Sequence, residues 1–214
     1  MSINTELNCG ICHVNGCYER DLTKTMKNCP TVNRKDEIKE INEKYLEEEN
    51  KKIAKASADV VMDNYGNKSR LKETIEFFKE MNYKKIGIAF CYKERKETFE
   101  LIKVLSNCGF EVVSVMCKVG SVERDLIEAD NYNKPPMCNP IAQAKFLEQE
   151  NPDINIVFGL CVGHDTLFLR EYSGDVTIFG VKDRLYNDAP VEAIKQVKKL
   201  NLKFNDNINL DDIK

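Results

Sequence analysis

Nine cysteines in a chain of 214 residues are the groups whose type and spacing can do chemistry. Four of them crowd the stretch NCGICHVNGCYERDLTKTMKNCP, in the order Cys9-x2-Cys12-x4-Cys17-x11-Cys29. Two thiolates separated by two residues can share one metal or one cluster, because a tight turn aims both sulfurs inward and its N–H groups offset their charge. Gly10 and Gly16 supply backbone freedom for that turn. The stretch has few large apolar residues to offset its ordering entropy, so metal ligation by Cys9, Cys12, Cys17 and Cys29 is the expected means of holding it. The spacing is neither that of a zinc ribbon nor that of a bacterial ferredoxin run, so it does not by itself choose the metal. The unequal spacing and the abundance of thiols favour an iron–sulfur cluster of the 4Fe-4S type, with zinc as the alternative. His13, beside Cys12, can replace one thiolate but reads better as a bystander.

The other cysteines fall where apolar runs stop. Cys91 ends KKIGIAFC, Cys117 ends FEVVSVMC and Cys161 ends INIVFGLC, while Cys138 sits in PPMCNP just ahead of a helical stretch. In an open parallel sheet ligands bind outside the carboxyl ends of the strands, so Cys91, Cys117, Cys138 and Cys161 are expected along one rim as a second metal-ligating set. Any one of them alone reads as a small buried hydrophobe. Cys108 closes a helix before Gly109 and reads as a packing residue. In GLCVGHDTLF, Gly159 and Gly163 permit close backbone approach, and His164 follows Cys161 at a spacing that lets imidazole and thiolate face one centre. His164 is the candidate general acid or base, against the alternative of a structural histidine. Asp165 can orient that ring or cap the next helix, and capping is the simpler role. In KDRLYND, Lys182 and Arg184 can hold an anionic substrate or neutralise an anionic cluster; the alternative is an ion-paired loop.

The elements that must position these groups divide the chain into three parts and a tail. Residues 1–31 form the cysteine-rich module. Residues 32–83 form a helical segment of two helices: Ile38, Ile41 and Tyr45 share a face of one that runs to Gly66, with Glu40–Lys44, Glu47–Lys51 and Glu48–Lys52 as supporting pairs. Leu71, Ile75 and Phe78 share a face of the other, capped by Ser69. Residues 84–204 alternate four apolar strands with helices, which predicts an α/β fold with a mostly parallel, doubly wound, Rossmann-like sheet covered on both faces. Residues 205–214 read as a loose acidic tail.

Composition narrows the function classes. The net charge of -3 arises from 32 basic and 35 acidic residues mixed along the chain, which argues against nucleic-acid and membrane-surface partners. No apolar run approaches the roughly 20 residues of a bilayer span, and residues 1–7 lack the marks of a signal peptide, so a cytosolic protein is expected. Cytosolic thiols are kept reduced, and an odd count of nine cysteines therefore reads as ligands, reactive groups or core residues rather than as a disulfide scaffold.

The motifs CxxC-x4-C with CPT, then CKVG, MCNPIAQA, GLCVGHD and VKDR, resemble those of an uncharacterised prokaryotic family of small cysteine-rich proteins, labelled as metal-binding and as a domain of unknown function. The resemblance covers nearly the whole chain and brings no activity with it. It implies metal binding through Cys9, Cys12, Cys17 and Cys29, with the later motifs marking a second site. FCYKERKET departs from the pattern, since a smaller, glycine-containing turn is expected after the first strand. The reading that follows is an iron–sulfur protein with two centres. Three-cysteine ligation at the rim would leave an iron open for redox, desulfuration or Lewis-acid chemistry on a small anionic or sulfur-bearing substrate, whereas four ligands would restrict it to exchange with an electron-transfer partner. A zinc module or a metal carrier is the alternative.

Overall fold

Turns, more than helices, shape the first residues that the computed structural model describes; it covers residues 7, 9–129, 135–203 and 206–213. The chain divides into two units, residues 1–62 and 63–214. In the first, a single 3-10 turn (Cys9–Ile11) precedes the one-turn helices α1 (Gly16–Glu19) and α2 (Pro30–Asn33). Gly16 is required for a steric reason, not for the freedom expected of it. A Cβ there would lie 2.2 Å from the Lys24 carbonyl oxygen and 2.7 Å from that of Asp21, while the left-handed backbone falls on its neighbour Asn15, with φ of 52°.

The continuous helix expected to run up to Gly66 is in fact two, α3 (Lys35–Glu43) and α4 (Glu48–Met62), with a 3-10 turn at Lys44–Leu46 between them. The break has a local cause. Glu47 is extended, with ψ of 133°, and the Asn50 amide donates to the Lys44 carbonyl at 3.1 Å and to the Glu47 carboxylate at 2.8 Å. The Glu47 carboxylate thereby bonds Asn50 instead of Lys51. The second helix stops at Met62, ahead of the left-handed Asn64 and Gly66.

In the second unit, Ser69 caps α5 (Arg70–Glu80) by accepting the Lys72 N–H at 3.3 Å, as its position predicts. Strand β1 (Lys85–Phe90) leads through a 3-10 turn into α6 (Arg95–Asn107), and β2 (Glu111–Met116) follows the left-handed Gly109. Pro140 opens α7 (Pro140–Glu150) under an Asn139 cap, β3 (Ile154–Leu160) leads to α8 (His164–Glu171), and β4 (Val176–Val181) leads to α9 (Val191–Val197). The expected acidic tail carries a 3-10 turn at Leu210–Asp212; residues 205 and 214 of it lie outside the described residues.

The four strands are all parallel, in the order β2-β1-β3-β4, so the fold is the expected α/β type with a doubly wound sheet. Alternation along the strands separates two cores. Ile86, Ile88, Phe90, Ile154 and Ile156 join Phe78, Leu101, Leu105 and Phe110 in one. Ala89, Cys91, Cys117 and Val157 join Ala144, Leu147, Phe168 and Tyr172 in the other. The order of winding reverses between β1 and β3, which places the crevice of such a sheet beside the ends of those two strands. Among the described residues no helix is long and apolar enough to cross a membrane.

Gly87 pairs with Asn155 across β1 and β3, and a Cβ on Gly87 would meet the Asn155 side-chain oxygen at 1.7 Å. Asn155 is fully buried and has little room to turn away. Gly87→Ala is therefore expected to destabilise the second unit by about 1–3 kcal/mol, read as a lower urea midpoint; an unchanged midpoint would mean that the asparagine yields freely.

Candidate functional site: two gatherings of cysteines

The amino-terminal thiols are positioned by local turns. The Cys12 N–H donates to the Cys9 carbonyl at 3.0 Å, closing the CxxC turn, Cys17 lies in α1, and Cys29 leads into α2 with its carbonyl accepting the Asn33 N–H at 3.0 Å. All four line one cavity of about 270 Å³ together with Gly16, Thr25, Met26 and Pro30. Cys12 is held below the ordinary thiol range by hydrogen bonds from the backbone of Val14 and then Asn15, the kind of donor that stabilises a thiolate. His13 is exposed and does not line the cavity.

The rim thiols are positioned by the sheet. Phe90 stands opposite Met116 in the parallel register, so Cys91 and Cys117, one residue further on, leave the sheet level with each other and on one face. The Cys117 N–H donates to the Phe90 carbonyl at 2.9 Å and the Cys91 N–H to the Phe158 carbonyl at 3.0 Å, extending the ladder past the strand ends. Cys138 is brought alongside by the Asn139 N–H, which donates to the Cys117 carbonyl at 2.7 Å, and by a two-residue bridge between Val122 and Met137. The Cys138 and Cys117 sulfurs lie 3.4 Å apart. Cys161 stands further along, where the Arg184 guanidinium donates to its sulfur at 3.0 Å.

These contacts divide the charge unequally. Cys91 is lowered to about 5, first by the thiol hydrogen bond from Cys117, then by the Lys93 N–H and by the positive fields of Lys182 and Arg184. Cys117 is pushed far upward, chiefly because it is the donor to Cys91 and then by burial. One proton is thus shared by a pair whose anion sits on Cys91. Burial raises the Cys161 thiol, against the pull of Arg184. His164 is half-buried and burial lowers it, so at neutral pH the ring is uncharged; its backbone N–H donates to the Cys161 carbonyl at 2.9 Å. Asp165 lies inside the first turn of α8, where it accepts the Thr166 N–H at 2.7 Å, and Gly163 takes the capping position in its stead.

Lys182 and Arg184 take different parts. The Lys182 side chain is 4% exposed and its ammonium pairs with Glu94 and, at 3.4 Å, with Asp188. Gly159 makes room for that pair: its φ is 63°, and a Cβ would fall 2.6 Å from Glu94 Cγ. Asp183 accepts the Leu185 and Tyr186 N–H groups at 2.9 Å each, which folds the KDRLYND loop so that Arg184 extends to Cys161. Two positioning groups escape a reading of the sequence. The fully buried Gln143 donates its amide to the Val115 carbonyl at 2.7 Å and the Phe90 carbonyl at 3.2 Å, tying the ends of β2 and β1 together beneath the two thiols. Its signal is a polar residue on the buried face of α7, beside Ala144 and Leu147. The Tyr92 N–H donates to the Cys117 sulfur at 3.3 Å and has no signal of its own. Among the described residues, no three His, Cys, Asp or Glu side chains are drawn round a single point as ligands of one metal ion are.

A family described only as proteins of unknown function, DUF1847, matches residues 29–179. An uncharacterized protein of Methanocaldococcus jannaschii is 43% identical over 191 residues, which span 88% of this chain and 93% of that relative. The family match includes Cys29, all four rim cysteines and His164, and ends before Lys182 and Arg184.

The Cys91 assignment has a pH signature. An unfolded thiol keeps its proton up to about 8.5, so between about 5 and 8.5 the unfolded chain binds the extra proton. Cys91 therefore adds stability as pH rises through that window and loses it as pH falls towards 5. Metal-free protein is expected to show an ultraviolet thiolate band that disappears near pH 5 and is missing from Cys91→Ser. Identical titrations of the two proteins would remove the assignment.

Proposed function

We propose that this chain, which belongs to the DUF1847 family, is a cysteine-ligated metalloprotein with two centres, one in the amino-terminal cavity and one at the sheet rim. The observation that supports the reading is the sorting of the thiols: of nine cysteines, four line one cavity, and four others stand at the ends of the strands or on the loop beside them, with Cys117 and Cys138 in contact. Cys9, Cys12, Cys17 and Cys29 would hold the first centre. A cluster of several irons spreads its ligands round a larger body than a lone ion does. It suits four thiols round a cavity of about 270 Å³ better than a single zinc, whose sulfurs would lie about 3.8 Å apart at about 2.3 Å from the metal. An iron–sulfur cluster, 4Fe-4S, is the occupant that follows. At the rim the sulfur contact of 3.4 Å is nearer the spacing of a single ion, and it keeps zinc as a second reading there, with a binding module or metal carrier as the function.

Cys91, Cys117, Cys138 and Cys161 would ligate the second centre; Cys117 and Cys138 are already in contact and Cys161 is held by Arg184. Bound there, an iron–sulfur centre supplies electron exchange when all four thiolates ligate and Lewis acidity when one iron is left open. Arg184 offsets anionic charge, and with Lys182 already paired it is the rim cation that can turn to a small anionic or sulfur-bearing substrate. His164, whose ring burial holds below the ordinary imidazole range, is the group that would take up or give a proton in redox or desulfuration chemistry.

Full-length protein purified without oxygen is expected to carry iron and acid-labile sulfide. Cys12→Ser and Cys138→Ser should each remove one centre and about half of the bound iron, and the double variant nearly all of it. Iron content unaffected by either substitution would end this reading, and zinc in place of iron at the rim would select the second one.

A further inference from the structure

The contact between two of the rim sulfurs has a use without any metal. Cys138 donates to Cys117 across 3.4 Å. The approach is set by backbone, since the Asn139 N–H is tied to the Cys117 carbonyl at 2.7 Å, and Val122 and Met137 exchange hydrogen bonds of 3.1 and 2.7 Å. The two sulfurs also differ in access. Cys138 is half-buried, whereas Cys117 is 3% exposed and lies behind it. An accessible thiol in contact with a shielded one is the arrangement that thiol–disulfide exchange uses, with one sulfur to attack and one to resolve.

We propose that in the metal-free rim Cys138 and Cys117 are a redox-active dithiol that reduces small disulfides of the glutathione class. Cys138 releases its proton to solvent and, as its thiolate, attacks one sulfur of the disulfide; the S–S bond breaks, one thiolate leaves and takes a proton from solvent, and a mixed disulfide forms on Cys138. Cys117 then gives up its proton to solvent and attacks the Cys138 sulfur, expelling the second thiolate, which takes a proton from solvent. Closing 3.4 Å to the roughly 2.05 Å of a disulfide is a movement of the two side chains. In net terms Cys117 and Cys138 give up two electrons and two protons, and one disulfide becomes two thiols. The inference goes beyond the metal reading because it concerns the protein without metal.

The experiment uses full-length protein prepared with a chelator, reduced, freed of reductant, exposed to oxidised glutathione, alkylated and digested. A peptide pair linked through Cys117 and Cys138 is expected in the mass spectrum. Cys117→Ser should instead trap glutathione on Cys138, and Cys138→Ser should lose both the link and the adduct. Cys108→Ala, whose thiol packs on the opposite face of the sheet, should keep the link. A Cys91–Cys117 link, a lasting glutathione adduct on Cys138 of the unsubstituted protein, or no oxidation at either sulfur in protein with a native circular dichroism spectrum would overturn the proposal. Protein first loaded with iron and sulfide separates the two ideas. Loss of the link upon loading supports a rim centre, whereas an undiminished link rejects that centre and leaves the dithiol standing.

Discussion

Because Phe90 stands opposite Met116 in the parallel pair of β1 and β2, the residues that follow them emerge level and on the same face of the sheet. Everything at the rim depends on that register. A slip of one residue would reverse the alternation of one strand and turn its cysteine towards the core packed by Phe78 and Leu105. Gln143 guards against such a slip, since its single amide bonds carbonyls of both strands. The hydrophobic effect builds the layer, but the hydrogen bonds fix which atoms of it meet.

Gathering thiols at the edge of an apolar core raises an electrostatic difficulty that the surrounding loops resolve. A thiolate at Cys91 is tolerated because the Cys117 thiol and the Lys93 N–H point at it and two cations lie within reach of its field. One of those cations, Lys182, is itself nearly sealed from water, and burying an ammonium is unfavourable unless it is paired. Glu94 and Asp188 provide the pairing, and the left-handed Gly159 bulge in β3 provides the space. The bulge also shifts the alternation of β3, so that Val157 and Leu160 fall on one face. The acidic groups on Lys182 leave Arg184 as the cation that touches sulfur directly.

Much of this fold was legible because its signals are local or periodic. The strands ending at Phe90, Met116 and Leu160 announce themselves as apolar runs and Ser69 as a cap, each through the physics of the segment it belongs to. What stayed hidden depends on partners far along the chain or on a competition that composition cannot decide. Glu94 and Lys182 are 88 residues apart, and nothing in either neighbourhood marks them as a buried pair. The helix break at Glu47 turns on whether that carboxylate bonds Asn50 or Lys51, which propensity leaves open. The role expected of Gly16 had the right residue and the wrong reason, because crowding by the Lys24 carbonyl is invisible until the loop is folded.

The two cysteine sets obey different physics. In the first unit the thiols stand on short turns, and among the described residues up to Thr31 only Gly16 is buried, so few apolar contacts hold the sulfurs in place. Cohesion there must come from backbone hydrogen bonds and from whatever the thiols themselves bind. At the rim the order of dependence is reversed: Cys91 and Cys117 belong to a packed cluster with Leu147, Val157 and Phe168, and the sheet holds them whether or not anything is bound. A preformed set of sulfurs whose geometry is independent of a ligand can serve metal ligation and exchange chemistry alike. Which of the two occurs is then decided by what reaches the half-buried Cys138, the more accessible sulfur of the Cys117–Cys138 contact.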